Sequence, residues 1–409
     1  MITLDGVQIG KYLQSLRKFY KITQDELATR LKVTRQAVSK WETGATIPDV
    51  EMLVQLSELY GVTINEILRA DIGSLKYKKE VSFPRDGRFL KNVTIIGCGR
   101  WGTFVAWYLD RLGHRVTLYG RPTSERMKRL METGANEYVQ LTDTVQLTTS
   151  LDKVNDADYV VISVDSQSLH DVVAELASRG LQNKIIVLCM KGLEISTGRR
   201  LSQVVSDGLD DSNDVAVWLG PGHIQEFYRG IPNCMVIDSN KELVKDELIR
   251  NFSGELIRFY YGMDLIGNEV GAAAKNVIGI AAGMLDGLDR ASLKGALMSR
   301  GPNEIAKLIV AMGGNPETVY GLCHLGDYEA TLFSEHSQNH TFGKCVVRNE
   351  EYHKLAEGYY TVKALHNLSK SYGVELPICE AVYKILHENA DPQDALKRLF
   401  ARSLRNEFI

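Results

Sequence analysis

The first seventy residues keep a helical period. In "IGKYLQSLRKFY" Ile9, Leu13, Leu16 and Tyr20 recur three and four apart, which puts them on one face of a helix. Thr23 stands three residues before Glu26 at the head of "QDELATRL", the spacing of a reciprocal cap on a second helix. In "TRQAVSKWETG" Thr34 can cap a third, whose inward face holds Ala37, Val38 and Trp41 and which Gly44 can end. "PDVEMLVQLSELYG" and "TINEIL" add a fourth and a fifth around the same small core.

That period stops at about residue 69. "RADIGSLKYKKEVSFPRDGRF" is polar, charged and broken by glycine and proline, so residues 71–90 read as a linker. Beyond it the apolar runs "NVTIIG", "HRVTLYG", "DYVVISV", "KIIVLCM" and "VAVWLG" alternate with helical stretches, predicting parallel βαβ units in a doubly wound sheet over 91–263. From 264 to 409 only helical patterns and polar turns such as "GGNPETVYG" remain. The chain therefore reads as multidomain: an all-α unit at 1–70, an α/β Rossmann-type domain, and an all-α domain at 264–409, to which a family resemblance assigns substrate binding and dimerisation.

Composition narrows the class. With 44% apolar and 24% charged residues in 409, the chain is an ordinary globular protein rather than a disordered or fibrous one. A formal net charge of −3 argues against indiscriminate coating of nucleic acid, while one local basic face remains open. The six cysteines are scattered without a C-x-x-C pair, which fits reduced thiols and a cytoplasmic setting. No secretory signal is visible at the start. "VGAAAKNVIGIAAGML" contains Lys275 and falls short of the roughly 20 apolar residues of a membrane span, so it reads as a buried soluble helix.

Two short helices joined by a tight turn can lay the second in the DNA major groove. On the third helix the outward positions Arg35, Gln36, Ser39 and Lys40 can all bond bases or phosphates. The run "TQDELATRLKVTRQAVSKWETGATIPD" resembles the lambda-repressor-like helix-turn-helix family over residues 9–68. The resemblance implies a DNA-reading unit that binds a two-fold site as a dimer. The competing reading is a helical module that only packs on, or dimerises, the rest of the chain.

"IIGCGRWGT" follows an apolar strand and opens a helix, the setting in which G-x-G-x-x-G binds a dinucleotide. Gly97 permits the turn, Gly99 admits the pyrophosphate, and Gly102 lets helix and strand pack. Arg100 and Trp101 lie within the same turn. After the next strand Gly120 and Arg121 stand where an acid would select NAD, so NADP is favoured over NAD.

Reduction of a carbonyl needs a positive donor to hold the oxygen and supply a proton. Lys191 follows "IIVLCM" at the carboxyl edge of the sheet, and Lys275 lies in an Ala/Gly-rich helix where burial should lower its pKa unless a carboxylate such as Asp327 compensates. From about 92 to 403 the chain resembles the bacterial NAD(P)-dependent sn-glycerol-3-phosphate dehydrogenases. The carriers are "IIGCGRWGT", "MKGLE", "LGPGHIQEFYRGIPN", "EVGAAAKNVIGIAAGMLDGL", "NPETVYGLCHLGDYEAT" and "GVELPICEAVYKIL", in matching order and spacing. The resemblance implies reduction of dihydroxyacetone phosphate to sn-glycerol 3-phosphate in a homodimer. Lys275, Lys191 and Asp327 would be catalytic, Asn276, Thr331, Gln338 and Asn339 would bind substrate, and Glu357 would bind cofactor.

Departures from that family cluster at one place. Where it usually has "SRNRRFG" this chain reads "SQNHTFG", so the neutral Gln338 replaces an arginine that grips the substrate phosphate, and His340 and Thr341 replace basic residues. Asp165 replaces a proline, and Gly222 with His223 replaces "SF". His336, His340 or Lys344 are candidates to compensate. His336 with His340 has the spacing of two zinc ligands on a helix, but nothing completes the set, so no metal is expected. Three readings follow: a dehydrogenase that also reads DNA, a regulator whose dehydrogenase body senses NADP(H) or a phosphorylated triose, and a dehydrogenase of another substrate.

Overall fold

A computed structural model describes residues 5–19, 22–60, 64–70, 90–334, 337–354 and 356–403. The chain divides into two compact units, Met1–Pro84 and Arg85–Ile409. The proposed linker at 71–90, apart from Leu90, lies outside the described residues, as do Tyr20 and His336.

The first unit holds five helices: α1 (Gly6–Phe19), α2 (Gln24–Leu31), α3 (Arg35–Glu42), α4 (Val50–Tyr60) and α5 (Ile64–Arg69). Ile9, Leu13 and Leu16 are buried with Leu27, Val38 and Trp41 in one core. The reciprocal cap forms as the spacing requires: Thr23 Oγ1 accepts from the Glu26 N–H, and the Glu26 carboxylate accepts from the Thr23 N–H. Thr34 Oγ1 likewise accepts from the Ala37 N–H at 3.2 Å and starts α3.

The second unit begins with β1 (Asn92–Ile96), α6 (Arg100–Arg111), β2 (Arg115–Tyr119), α7 (Glu125–Thr133), β3 (Gln146–Thr148), β4 (Tyr159–Ile162) and α8 (Leu169–Ser178). β5 (Ile185–Leu188), α9 (Leu201–Gly208), β6 (Asp214–Leu219), α10 (Ile224–Tyr228), β7 (Asn233–Ser239), α11 (Glu242–Phe252) and β8 (Ile257–Tyr261) follow. The strands form one sheet in the order β3-β2-β1-β4-β5-β6-β7-β8. The five strands read from the sequence are parallel to one another. The sheet as a whole is mixed, because β7 pairs antiparallel with β6 and carries β8 parallel beside it. Each face is covered by its own core: Phe104, Tyr108 and Phe252 on one side, Leu169, Val173 and Val205 on the other.

The rest is helical: α12 (Leu265–Gly287), α13 (Lys294–Ala311), α14 (Gln338–Arg348), α15 (Glu357–Tyr372), α16 (Pro377–His387) and α17 (Pro392–Phe400). α12 is buried along almost its whole length, which explains its Ala/Gly composition. A Cβ at Gly283 would collide with the His340 carbonyl, and one at Gly343 with the Ile280 carbonyl. Only without those side chains can α14 lie this close to α12, and that approach sets the two helices' asparagines side by side. Among the described residues no helix is long and apolar enough to cross a membrane.

Candidate functional site

The turn between β1 and α6 is tight where it packs and open where it faces outward. Gly97 has φ +116°, and a side chain there would collide with the Ser163 carbonyl; one at Gly102 would collide with the Gly97 carbonyl. Beside Gly99 the nearest atom to an added Cβ is Arg126 Nη1, at 3.7 Å. An open helix N-terminus with a guanidinium alongside is fitted to a pyrophosphate, so the residues present fit NAD(P). Arg100 lies 5.7 Å from the centroid of the Tyr138 ring, and the exposed Arg121 follows β2 after Gly120. Trp101 packs its indole against Phe104 and Phe227, with centroids at 5.1 and 6.4 Å, so its side chain ties the turn to the core.

At the carboxyl edge of the sheet one carboxylate holds two ammonium groups. Asp327 Oδ2 lies 2.6 Å from Lys191 Nζ and 2.9 Å from Lys275 Nζ. Lys191 also donates to the Gly220 carbonyl at 2.6 Å. Lys275 donates to Thr331 Oγ1 at 2.7 Å, and that hydroxyl donates to the Asp327 carbonyl at 2.7 Å. Thr331 sits in a single π turn, Glu329–Phe333, a distortion that tends to mark functional positions. Asn276 Nδ2 donates to the Lys191 carbonyl at 2.9 Å, and its Oδ1 accepts from Asn339 Nδ2 at 3.0 Å. Asn339 Oδ1 accepts from the Gly358 N–H at 2.9 Å, which closes the chain of bonds onto α15.

Burial controls the charge balance there. It pulls Lys275 down to about 8; the attraction of Asp327 opposes that fall and the repulsion of Lys191 adds to it. His324 lies beneath this loop, fully buried and driven down to about 4 by desolvation. In the neutral tautomer its Nδ1–H donates to the Gly271 carbonyl and its Nε2 accepts from Tyr328, each at 2.8 Å. These bonds fasten the Asp327 loop to α12.

The remaining predicted positions scatter more. Glu357 accepts from Ser166 Oγ at 2.7 Å, and burial raises its carboxyl. Gln338 Oε1 accepts from the Tyr352 hydroxyl at 2.7 Å. His340 bonds Asp286 at 2.7 Å, and Lys294 holds the same oxygen at 2.9 Å. That bond directs the imidazole to Asp286. Asp165 caps the turn after β4 by accepting from the Gln167 and Ser168 N–H groups, each at 3.1 Å, so its carboxylate serves the local backbone. Among the described residues no group of three possible ligands for a metal occurs.

In the first unit Arg35, Gln36 and Lys40 are exposed and Ser39 is half-buried, all on α3. Sequence reasoning missed what holds that helix. Glu42 is buried and takes a two-point contact from Arg17, at 2.5 and 2.9 Å, with Gln24 Nε2 at 2.9 Å. The signal was available: Glu42 lies four residues after Val38, on the inward stripe. Ser166 and the Gly220 carbonyl were missed too; neither carries a mark in a single sequence.

A glycine turn, a dinucleotide-type sheet and a lysine pair at its carboxyl edge define a nicotinamide-dependent dehydrogenase. Models of the NAD-dependent glycerol-3-phosphate dehydrogenase N-terminus and C-terminus match residues 92–244 and 264–397, and a helix-turn-helix model matches 13–67. The glycerol-3-phosphate dehydrogenase (NAD(P)+) of Chlorobium limicola is 35% identical over 334 residues, 77% of this chain and 99% of its own. That of a Thermoanaerobacter species is 34% identical over 327 residues, 77% and 98%. The crystal structure of glycerol-3-phosphate dehydrogenase from Coxiella burnetii superposes with TM-score 0.72 at 29% identity, covering 77% of this chain and all of that one. The chain belongs to the NAD-dependent glycerol-3-phosphate dehydrogenase family, and carries a helix-turn-helix segment outside the two dehydrogenase matches.

Proposed function

We propose that the second unit reduces dihydroxyacetone phosphate to sn-glycerol 3-phosphate with NADPH or NADH, and that the first unit binds a specific two-fold DNA site. The proposed division is 1–70 for the DNA-reading unit, 71–90 for the linker, 91–263 for cofactor and 264–409 for substrate and dimerisation. A cytoplasmic homodimer completes this reading. The observation that carries it is the single Asp327 carboxylate shared by Lys191 and Lys275.

The turn at Gly97–Gly102 would seat the pyrophosphate on the α6 N-terminus, with Arg121 near the ribose. The bound cofactor supplies the hydride. Lys191 and Asn276 would orient the substrate carbonyl, and Lys275 would give its proton to the oxygen as negative charge develops. With a pKa of about 8, about nine in ten Lys275 amines carry that proton at pH 7, and burial makes it easier to release. Asp327 and Thr331 would hold the amine in place, and the negative charge of Asp327 would favour its reprotonation from solvent between turnovers.

Gln338 is the weak point for a phosphorylated substrate. A charge-assisted arginine–phosphate contact is roughly twice as strong as a neutral one, so KM for dihydroxyacetone phosphate is expected to be high and Gln338→Arg to lower it. NADPH oxidation with dihydroxyacetone phosphate tests the reading, with Lys275→Ala expected to abolish turnover. Tight NADPH binding without turnover would instead select a sensor. Gel shifts with genomic fragments test the first unit; equal binding to random DNA refutes sequence-specific recognition.

A further inference from the structure

The end of β2 carries no acid and has no room for one. In dinucleotide-binding sheets a carboxylate at this point accepts the adenosine ribose 2′-OH of NAD. Gly120 holds the position and is buried, and a Cβ on it would lie 2.6 Å from Cys98 Sγ and 2.9 Å from Met127 Cβ. Cys98 and Met127 are themselves buried. A carboxylate at 120 would therefore push the first turn of α7 away from the glycine turn.

Two cations stand there instead. Arg121 follows Gly120 and is exposed. Arg126 lies in the first turn of α7, is also exposed, and reaches back until its Nη1 is 3.7 Å from a Cβ built on Gly99. The neighbouring acid is occupied, because Glu125 pairs with Lys128 at 2.6 Å. Among the described residues neither Arg121 nor Arg126 has a carboxylate partner. Positive charge left uncompensated on the rim of a phosphate turn favours a further anion.

We propose that Arg126, together with Arg121, grips the 2′-phosphate of NADPH and makes the chain selective for NADPH over NADH. The pyrophosphate common to both cofactors has the open N-terminus of α6. The third phosphate, present in NADPH alone, falls to the arginines on the β2 side. A guanidinium suits it because its fork can give two parallel N–H bonds to one phosphate. The inference rests on the dehydrogenase reading and deepens its cofactor half.

The test is calorimetric titration of the full chain with NADPH, NADH, adenosine 2′,5′-bisphosphate and 5′-AMP. The unaltered chain should bind NADPH at least about tenfold more tightly than NADH, and the bisphosphate more tightly than AMP. Arg126→Met should weaken NADPH by about 10- to 150-fold, the worth of a charge-assisted contact, and NADH by at most about fivefold. Arg126→Lys should restore part of the loss, since it keeps the charge without the fork. A phosphate monoester gains its second negative charge near pH 6, about where phosphorylated side chains do, while arginine stays charged. The advantage of NADPH should therefore grow as pH rises through about 6, and Arg126→Met should flatten that rise. Equal affinity of the unaltered chain for both cofactors, or a preference that ignores pH, overturns the proposal whatever the variants do. So does an Arg126→Met chain that loses both cofactors alike or neither. In each of those cases the dehydrogenase reading stands, whereas failure of all four ligands to bind the unaltered chain overturns both.

Discussion

Asp327→Asn isolates the electrostatic core of the proposed chemistry. The substitution keeps the shape and removes the one negative charge between two ammonium groups at 2.6 and 2.9 Å. At an effective dielectric of about 20, unit charges at the longer of those distances attract by about 6 kcal/mol before solvation relaxes. Observed shifts from one neighbouring charge are smaller, about 1–3 pK units. Lys275, at about 8 with Asp327 charged, should therefore fall to between about 5 and 7. At pH 7 its protonated share would drop from about nine-tenths to somewhere between about one-half and one-hundredth. The sign follows from the role. Carbonyl reduction needs the ammonium form, so its rate is lost as pH rises through the Lys275 pKa, whereas alcohol oxidation gains over the same window. A pH profile of kcat/KM for dihydroxyacetone phosphate should thus lose its alkaline limb near 8 and regain it about 1–3 units lower. Lys191→Met removes the like charge that depresses Lys275, and should move the limb the other way. A limb that stays near 8 in both variants would refute Lys275 as the proton donor.

Three further outcomes follow from the same geometry. Gly97→Ala puts a side chain at φ +116° against the Ser163 carbonyl; strain of about 1–3 kcal/mol should weaken NADPH binding, read by fluorescence, by about 5- to 150-fold. Glu42→Gln leaves the Arg17 guanidinium in the first unit's core without its counter-charge. The cost of about 3–5 kcal/mol should lower a distinct calorimetric transition and abolish gel shifts while dehydrogenase turnover persists; an unchanged transition contradicts it. Burial lifts Glu304 from 4.5 to about 7, so the folded chain holds a proton that the unfolded chain has lost. About 3 kcal/mol of stability is present below pH 4.5 and is lost as pH rises to about 7. Glu304→Gln should flatten that fall in melting temperature, and an equal fall in both proteins would count against it.

What the sequence made legible was whatever has a period or an invariant spacing. The five parallel strands are continuous apolar runs because both faces of the sheet are covered. The capping box and the glycine turn fix backbone geometry within a few residues, and both form where the spacing puts them. Strands β3, β7 and β8 were not legible, for separate reasons. β3 has three residues. β7 ends in Asp238 and Ser239, whose polarity reads as loop although Asp238 is buried and accepts from Asn268 at 2.7 Å. β8 lies at the sheet edge and shows Arg258, Tyr260 and Tyr261 to solvent.

The site divides along the same line. Lys191 and Lys275 could be placed because a strand end and a buried helix restrict where their side chains go, Asn276 came only with the family resemblance, and the structure gathers all three with Asp327, Thr331 and Asn339. Gln338 marks the limit of that logic. The sequence shows that a positive charge is missing, but where the amide turns in its absence depends on Tyr352, fourteen residues away and outside any local pattern. His340 illustrates the same point, because its bond to Asp286 depends on the approach of α14 to α12 that Gly283 and Gly343 permit. Small residues in a buried helix thus determine which side chains reach the lysine pair. A bulkier residue at Gly283 should therefore change the substrate site through α14 while Lys275 stays fixed on α12.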